Sequence, residues 1–221
     1  MTTTVVRNRT LTTKSNGKLY VKAIDSGQSE FLRSIRAAIR ALWSGEDQLE
    51  DFLDFMRSLI DIGYTRAWRA GASVCGIESA DMTIDEMVVL RRRILEDTIR
   101  ADNLAIDVWN GRKEAGGKLY SFYPRADLWA NNYNEMKNMA QLMSCQDAKM
   151  EWVISAKESC PSCLKLAGKV KRASYWRDND VHPQHRDKLE CMIGAGGVPV
   201  CKCSFVQTDA PITPGSLPNL P

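Results

Sequence analysis

The chain contains no uninterrupted apolar run near the ~20 residues that a membrane-spanning helix needs, which argues against an integral membrane protein built on such helices. Its start, Met1 to Thr4 and on through Arg7 and Arg9, lacks the apolar stretch of a secretory signal, so a protein made and kept in a reducing cytoplasm is expected. Histidine is scarce, with 2 in all, both inside His182-Pro183-Gln184-His185. No His-Glu-x-x-His protease motif can be assembled from them, and little is left for a Cys/His nucleophile pair. Neither a P-loop nor a dinucleotide-binding glycine fingerprint occurs, and no repeat at a solenoid period is present. Strong charge of one sign is also missing: Lys+Arg 30 against Asp+Glu 27 gives +3, which excludes polyanion binding by bulk charge alone. What remains is a chain of 221 residues, 44% hydrophobic and 26% charged, long enough to bury a self-supporting core without disulfides.

Charge is distributed unevenly. Residues 1–23 carry Arg7, Arg9, Lys14, Lys18 and Lys22 and no acid, in a Thr/Ser/Asn-rich stretch without helical periodicity, and read as a flexible basic arm. Residues 24–144 hold 15 basic and 19 acidic side chains, a net −4, and contain no proline before Pro124. Residues 145–221 hold 10 basic and 8 acidic side chains, a net +2, with seven of the eight prolines beyond residue 144.

The middle of the chain is helical by pattern. Leu32, Ile35, Ile39 and Leu42 share one helical face, which Ser29 would cap and Ser44-Gly45 would end. A second helix is predicted from Ser44, with Asp47 in its first turn, through Phe52, Met56, Ile60, Tyr64 and Trp68 to about Gly71. Thr83 and Glu86 form a capping-box signature before Ile84, Met87, Val88, Ile94, Leu95, Ile99 and Ile106, which predicts a third helix of about 25–30 residues with Gly116-Gly117 as its break. A fourth runs from about Arg125 to Cys145 with Leu128, Trp129, Tyr133, Met136, Ala140 and Met143 inward. Arg91-Arg92-Arg93 reads as a solvated helix face that nearby acids neutralise, and the Met136, Met139, Met143 run as packing. Cys75 and Cys145, isolated on helical patterns, read as small buried hydrophobes.

The last third changes character. Met150 to Ser155 favours a strand that leads into Cys160-Pro161-Ser162-Cys163, and the chain returns through Cys191, a glycine-rich stretch and Cys201-Lys202-Cys203 to a closing strand at Phe205 and Val206. A Cys-x-x-Cys turn offers two thiolates to one tetrahedral ion, and cysteines returning far downstream supply the other half. Zinc suits a reducing compartment better than disulfides, with disulfide pairing or plain thiols as the alternatives. Cys201 and Cys203 on an extended strand would sit ~6–7 Å apart, too far for one zinc unless the chain turns there. The candidate ligands are therefore four of Cys160, Cys163, Cys201, Cys203 and Cys191, with His182 or His185 as a remoter fourth. Nucleobase deaminases also use a Cys-x-x-Cys pair, but with proline before it and a His-x-Glu upstream, which this chain lacks. Nothing marks an open coordination position or a general base, so a structural rather than catalytic site is expected.

The expected fold class is α+β, an elongated N-terminal arm or bundle of long helices followed by a small Cys-rich, β-containing module. The boundaries are 1–28 for the basic arm, 29–146 for the helical domain, 147–207 for the module and 208–221 for a Pro-rich tail, extended and disordered until it meets a partner. Arg7, Arg9, Lys14, Lys18 and Lys22 in the arm, with Lys169, Lys171 and Arg172 in the module, are the candidate contacts to nucleic acid or a partner.

One resemblance follows from these residues. Trp152, Cys160-x-x-Cys163, Leu166, Gly168-Lys169-Val170, Trp176, Pro183, Cys191, Gly196-Gly197, Cys201-x-Cys203 and the Pro-rich tail resemble the C-terminal domain of the head-morphogenesis, or Mu F-like, minor capsid proteins of tailed bacteriophages. Ala41-Leu42-Trp43-Ser44-Gly45-Glu46, followed by Phe52, Met56, Ile60 and Ala67-Trp68, is similar to the N-terminal half of phage and prophage members, so the likeness spans about residues 30–215. The resemblance implies a non-enzymatic, low-copy head component in the virion, assembled in the host cytoplasm. Its partners would be the portal protein, the major capsid protein and packaged DNA, with several copies around a symmetric assembly. The reading from another class is a zinc-ribbon nucleic-acid-binding protein that works alone.

Overall fold

The computed structural model describes residues 27–77, 82–145, 147–154, 159–185, 187–190 and 201–220, together with the backbone of residues 11–15 and 18–22. The chain is α+β as expected, with long helices first and a small antiparallel sheet near the C-terminus.

The basic arm carries regular structure that its composition did not suggest. β1 (Leu11–Ser15) pairs antiparallel with β2 (Lys18–Lys22), with Ser15 opposite Lys18 and Leu11 opposite Lys22. The two residues between the strands are Asn16 and Gly17, the strongest short-range hairpin signal a sequence offers.

Four helices form the body. α1 (Gln28–Ser44) buries Phe31, Ile35, Ile39 and Leu42; Ser29 makes no cap, and Gly27 stands at the N-cap instead. Gly45 ends the helix in the left-handed region at φ 77, as its lack of a Cβ allows. The N–H groups of Glu46 and Asp47 then return to the Ala41 carbonyl at 2.9 and 3.2 Å. That turn consumes the residues expected to open the next helix, so α2 (Leu49–Ala72) begins five residues later than Ser44. α3 (Ile84–Asn110) starts on the full capping box: Glu86 N–H donates to Thr83 Oγ1 at 3.3 Å and Thr83 N–H to Glu86 Oε2 at 2.7 Å. It stops at Gly111, ahead of Gly116-Gly117. α4 (Tyr123–Ser144) carries Pro124 in its first turn, where no N–H is required.

These helices pack around Phe31, Ile35, Met56, Ile60, Tyr64, Trp68, Leu104, Trp129, Tyr133 and Met136. α2 and α4 are in close contact at Gly71, where an added Cβ would lie 2.2 Å from the Lys137 carbonyl oxygen. Because that obstacle is backbone, Gly71→Ala is expected to cost about 2–3 kcal/mol of unfolding free energy by urea denaturation, as overpacking does. An unchanged midpoint would mean that the two helices separate freely there.

The third helix buries a face other than the one that carries most of its large apolar residues. Leu90, Ala101, Leu104, Ala105 and Val108 are buried, while Ile84, Met87, Val88, Leu95, Ile99 and Ile106 are exposed and only Ile94 is half-buried. Both faces of α3 are apolar, and the one rich in alanine lets the backbone come close to α2.

The C-terminal module is built on a sheet of order β4-β3-β5. β3 (Lys149–Val153) is central and pairs antiparallel with β4 (Val170–Arg172) and β5 (Ser204–Gln207). Two short helices, α5 (Pro161–Leu166) and α6 (Ala173–Asp178), flank β4. Trp152, Trp176 and Phe205 form an aromatic triangle with centroids 5.3 to 5.6 Å apart, at the centre of a core separate from that of the helices. Cys75 and Cys145, expected as isolated core residues, instead form a disulfide with Cα atoms 5.6 Å apart, tying the end of the α2 region to the end of α4. The Pro-rich tail is laid across the module rather than hanging free. Thr213 exchanges bonds with Val170, and Lys149 Nζ donates to the Asp209 and Ala210 carbonyls. Leu217 and Leu220 pack against the core.

Candidate metal centre

The local sequence explains why two cysteines meet at the start of α5. Cys160 is the N-cap, Pro161 occupies the first helical position, and the Cys163 N–H donates to the Cys160 sulfur at 3.3 Å. Both side chains are buried. Cys201 and Cys203 lie just before β5, and the sulfurs of Cys163, Cys201 and Cys203 all fall within 4.8 Å of one another. Cys163 and Cys201 are 3.9 Å apart, close to the ~3.7 Å between sulfurs on a tetrahedral zinc. Cys191 lies outside the described residues.

The turn that the Cys-x-Cys pair needs is imposed by a side chain the sequence did not mark. Gln184 is fully buried, and its Nε2 donates to the carbonyls of both Cys201 and Cys203, at 3.2 and 2.7 Å. Asn138 of α4 donates to Gln184 Oε1 at 2.8 Å and accepts the Phe205 N–H at 3.0 Å, while Asn131 accepts the Cys201 N–H at 3.3 Å. The buried asparagines of α4 thus hold the returning strand in register. A glutamine next to a His-Pro pair, and Asn131 and Asn138 on one helical face of α4, were the available signals.

Sulfur–sulfur proximity without a cation favours protons on the thiols. Contact with Cys201, then with Cys203, then burial, pushes Cys163 far above the ordinary thiol range. In Cys203 the contact with Cys163 pulls downward, but contact with Cys201 and burial prevail and push it up to about 12. The buried Trp152 indole N–H beside Cys203 acts to lower that thiol's pKa. A backbone N–H directed at sulfur, as Cys163 N–H is at Cys160, suits a thiolate held by a metal better than a neutral thiol. The buried cluster of Cys163, Cys201 and Cys203 is thus compatible with zinc, while the Cys160 sulfur, one turn of chain away, is not among those that lie within 4.8 Å of one another.

The histidines do not join this cluster. They form a second group with Asp180, in which His182 and His185 rings lie 4.5 Å apart. His185 Nδ1 accepts the Asp187 N–H, which leaves Nε2 as the N–H that faces Asp180 at 3.3 Å. That tautomer offers no lone pair to a metal. Burial lowers the pKa of His182 to about 4; the Pro183 carbonyl and Asp180 act against it, and the charge of Arg93 acts with it. The unfolded imidazole titrates near 6.5, so between pH 6.5 and 4 the unfolded chain holds a proton that the folded chain refuses. Neutral His182 therefore contributes about 3 kcal/mol that is complete above pH 6.5 and lost as the pH falls to 4. His182→Asn is expected to flatten the fall in unfolding free energy over that window by about this amount. Equal slopes in parent and variant would contradict it.

The basic candidates are dispersed. Arg7 and Arg9 lie outside the described residues, Lys14 is in β1, and Lys18 and Lys22 are in β2. Lys171, expected on the surface, is buried: its Nζ donates to the Thr213 and Gly215 carbonyls at 2.7 and 2.5 Å and sits over the Tyr175 ring. Arg172 donates to the Asp147 carbonyl at 2.8 Å while remaining exposed, and Lys169 is half-buried. The module has no continuous basic edge formed by these three residues, because the docked tail occupies the middle one.

No protein-family model, no curated protein and no solved structure matches the chain. Among the described residues, no helix is long and apolar enough to cross a membrane.

Proposed function

We propose that the chain is a structural minor head protein of a tailed phage, associated with the portal and aiding head assembly or DNA delivery, with a C-terminal module stapled by zinc. The observation that carries the staple is the convergence of Cys163, Cys201 and Cys203, with Cys160 in the same turn of chain, in a buried site lined by sulfur donors. Four thiolates on one zinc fill its tetrahedron and leave no place for a reactive water, so the ion would hold the fold rather than perform chemistry. The phage assignment rests on the resemblance of the Trp152 to Cys203 spacing to the Mu F-like minor capsid proteins. Partners in this reading are the portal and major capsid proteins, in several copies within the virion, with packaged DNA near the basic arm. The stand-alone zinc-ribbon reading draws less support, because Lys171 is spent on the tail.

Co-expression with the portal protein of the phage or prophage that encodes the chain is expected to give a complex that survives gel filtration in about 0.5 M salt, where exposed charges are largely screened. Elution of the chain alone, with DNA retention lost on raising salt or removing residues 1–23, would overturn the proposal in favour of a nucleic-acid-binding protein.

A further inference from the structure

The apolar stripe on α3 has a charge pattern beside it that specifies what covers it. Ile84, Met87, Val88, Leu95, Ile99 and Ile106 are between 44% and 75% exposed and account for six of the eleven large apolar side chains left exposed among the described residues. At about 100° per residue they fall within a ~120° arc running the length of the helix, opposite the buried face of Leu90, Ala101, Leu104 and Val108. Single exposed apolar residues are ordinary, but a continuous stripe marks an interaction surface.

Charges on the α2 side of the stripe change sign from one end to the other. Arg91 lies in the N-terminal half of α3 and Asp102 in the C-terminal half, both on the α2-side margin of the stripe, between Met87 and the line of Val88, Leu95, Ile99 and Ile106. Each is paired with the opposite charge on α2, Arg91 with Asp61 at 3.1 Å and Asp102 with Arg57 at 3.3 Å, and all four side chains remain in contact with solvent. The other flank carries Asp85, Arg92 and Asn103, all exposed, and Arg92 makes no ion pair among the described residues. Glu96, farther round that side, is held by Arg93 of its own helix at 3.6 Å. In an antiparallel helix pair about a two-fold axis each flank meets the same flank of its mate, so Arg91 meets Asp102. A parallel pair would set each flank against the other and bring Arg91 beside Arg92.

We propose that α3 is a homodimer interface in which two copies of this chain pair antiparallel about a two-fold axis level with residue 97. That register sets Val88 of one copy opposite Ile106 of the other and Leu95 opposite Ile99, each twice. It brings Arg91 within one residue of facing Asp102, and Arg92 within one residue of facing Asn103, whose amide carbonyl can accept from the guanidinium. A C2 contact of this kind is self-complementary, as the α2-side charge pattern is. The footprint of the helix, about 40 by 10 Å, is on the order of 400 Å² per copy, half of the ~800 Å² typical of stable complexes. The dimer is therefore concentration-dependent, forming in the range of roughly 10–100 µM.

Sedimentation equilibrium of the full chain across that range tests it. The parent is expected to dimerise reversibly, and Leu95→Glu to raise the dissociation constant at least tenfold with unchanged helical circular dichroism. Arg91→Glu and Asp102→Arg are each expected to weaken the dimer about tenfold, roughly threefold for each of two symmetric pairs. The double exchange is expected to restore it, because the repulsions it creates with Asp61 and Arg57 act in monomer and dimer alike, whereas the contact between residues 91 and 102 of the two copies is again between opposite charges. A parent that stays monomeric, including one whose stripe proves to bind only the portal protein, overturns the proposal. So does a dimer that Leu95→Glu leaves intact, or a charge exchange that does not rescue.

Discussion

Cys163→Ser is expected to leave the chain without bound zinc and to unfold its C-terminal module, while the parent purified under reducing conditions carries one zinc per chain. Cys163 is the hub of the cluster: its sulfur is 3.9 Å from Cys201, within 4.8 Å of Cys203, and its N–H holds the Cys160 sulfur. Serine removes the sulfur on which the cluster converges, so the tetrahedral thiolate set cannot be completed. The loss should exceed about 5 kcal/mol, the upper range for point substitutions, because metal binding here is folding free energy. It should be visible as collapse of the near-ultraviolet signal of Trp152 and Trp176. Far-ultraviolet helicity should fall little, since α1 to α4 pack around their own core. Cys160→Ser should behave similarly, while Cys191→Ser should keep its zinc. Elemental analysis that finds no metal in the parent would remove the staple, and retention of zinc by Cys160→Ser together with its loss from Cys191→Ser would reassign the fourth ligand.

The parts of the fold that a sequence pattern reveals are those in which one local rule acts unopposed. The Thr83 and Glu86 box, the Gly45 terminator and the Cys-Pro-x-Cys turn each need only a few adjacent residues, and each forms where the pattern placed it. α3 shows the opposite case. Its periodicity offers two apolar faces, and only the competition for α2 decides which one is buried, a contest settled by alanines rather than by the larger residues. The arginine triplet divides for the same reason: Arg91 and Arg92 remain on a solvated face, but Arg93 turns inward, where Glu135 lies 2.5 Å away. Gln184 is a stronger example. Its φ of 69 is rare for a non-glycine residue, and its amide orders the Cys201-x-Cys203 turn from seventeen residues upstream. No spacing rule connects a glutamine to a strand that far along the chain. The tail misleads through composition, because prolines without periodicity suggest disorder, while Lys165, Lys149 and Lys171 spend their ammonium groups on its carbonyls.

Asp97→Ala is expected to destabilise the helical bundle by about 3–5 kcal/mol, the range for breaking a buried ion pair from one side. Asp97 is fully buried on α3, surrounded by groups from three helices. Tyr64 Oη of α2 and Asn132 Nδ2 of α4 donate to Oδ2 at 2.5 and 2.6 Å, Arg100 donates to Oδ1 at 2.5 Å, and Arg93 Nε lies 3.3 Å from Oδ2. Burial first, and then the Asp97 charge, hold the Tyr64 phenol well above its ordinary range, so it donates its proton at any accessible pH. Removing the carboxylate takes from the tyrosine hydroxyl and the Asn132 amide the acceptor they share and leaves Arg93, whose side chain is 14% exposed, with Glu135 as its main counter-charge. At 2–4 °C per kcal/mol for a chain of this size, the melting temperature should drop by roughly 6–20 °C. Tyr64→Phe, which removes one donor and leaves the carboxylate its other partners, should cost only about 1–2 kcal/mol. Asp97→Leu separates the two contributions: a loss comparable to that of alanine means that the loss of the shared acceptor sets the cost. A neutral or stabilised leucine variant would instead mean that desolvating the carboxylate already cancels what its partners return, and that the network does not hold α2, α3 and α4 together.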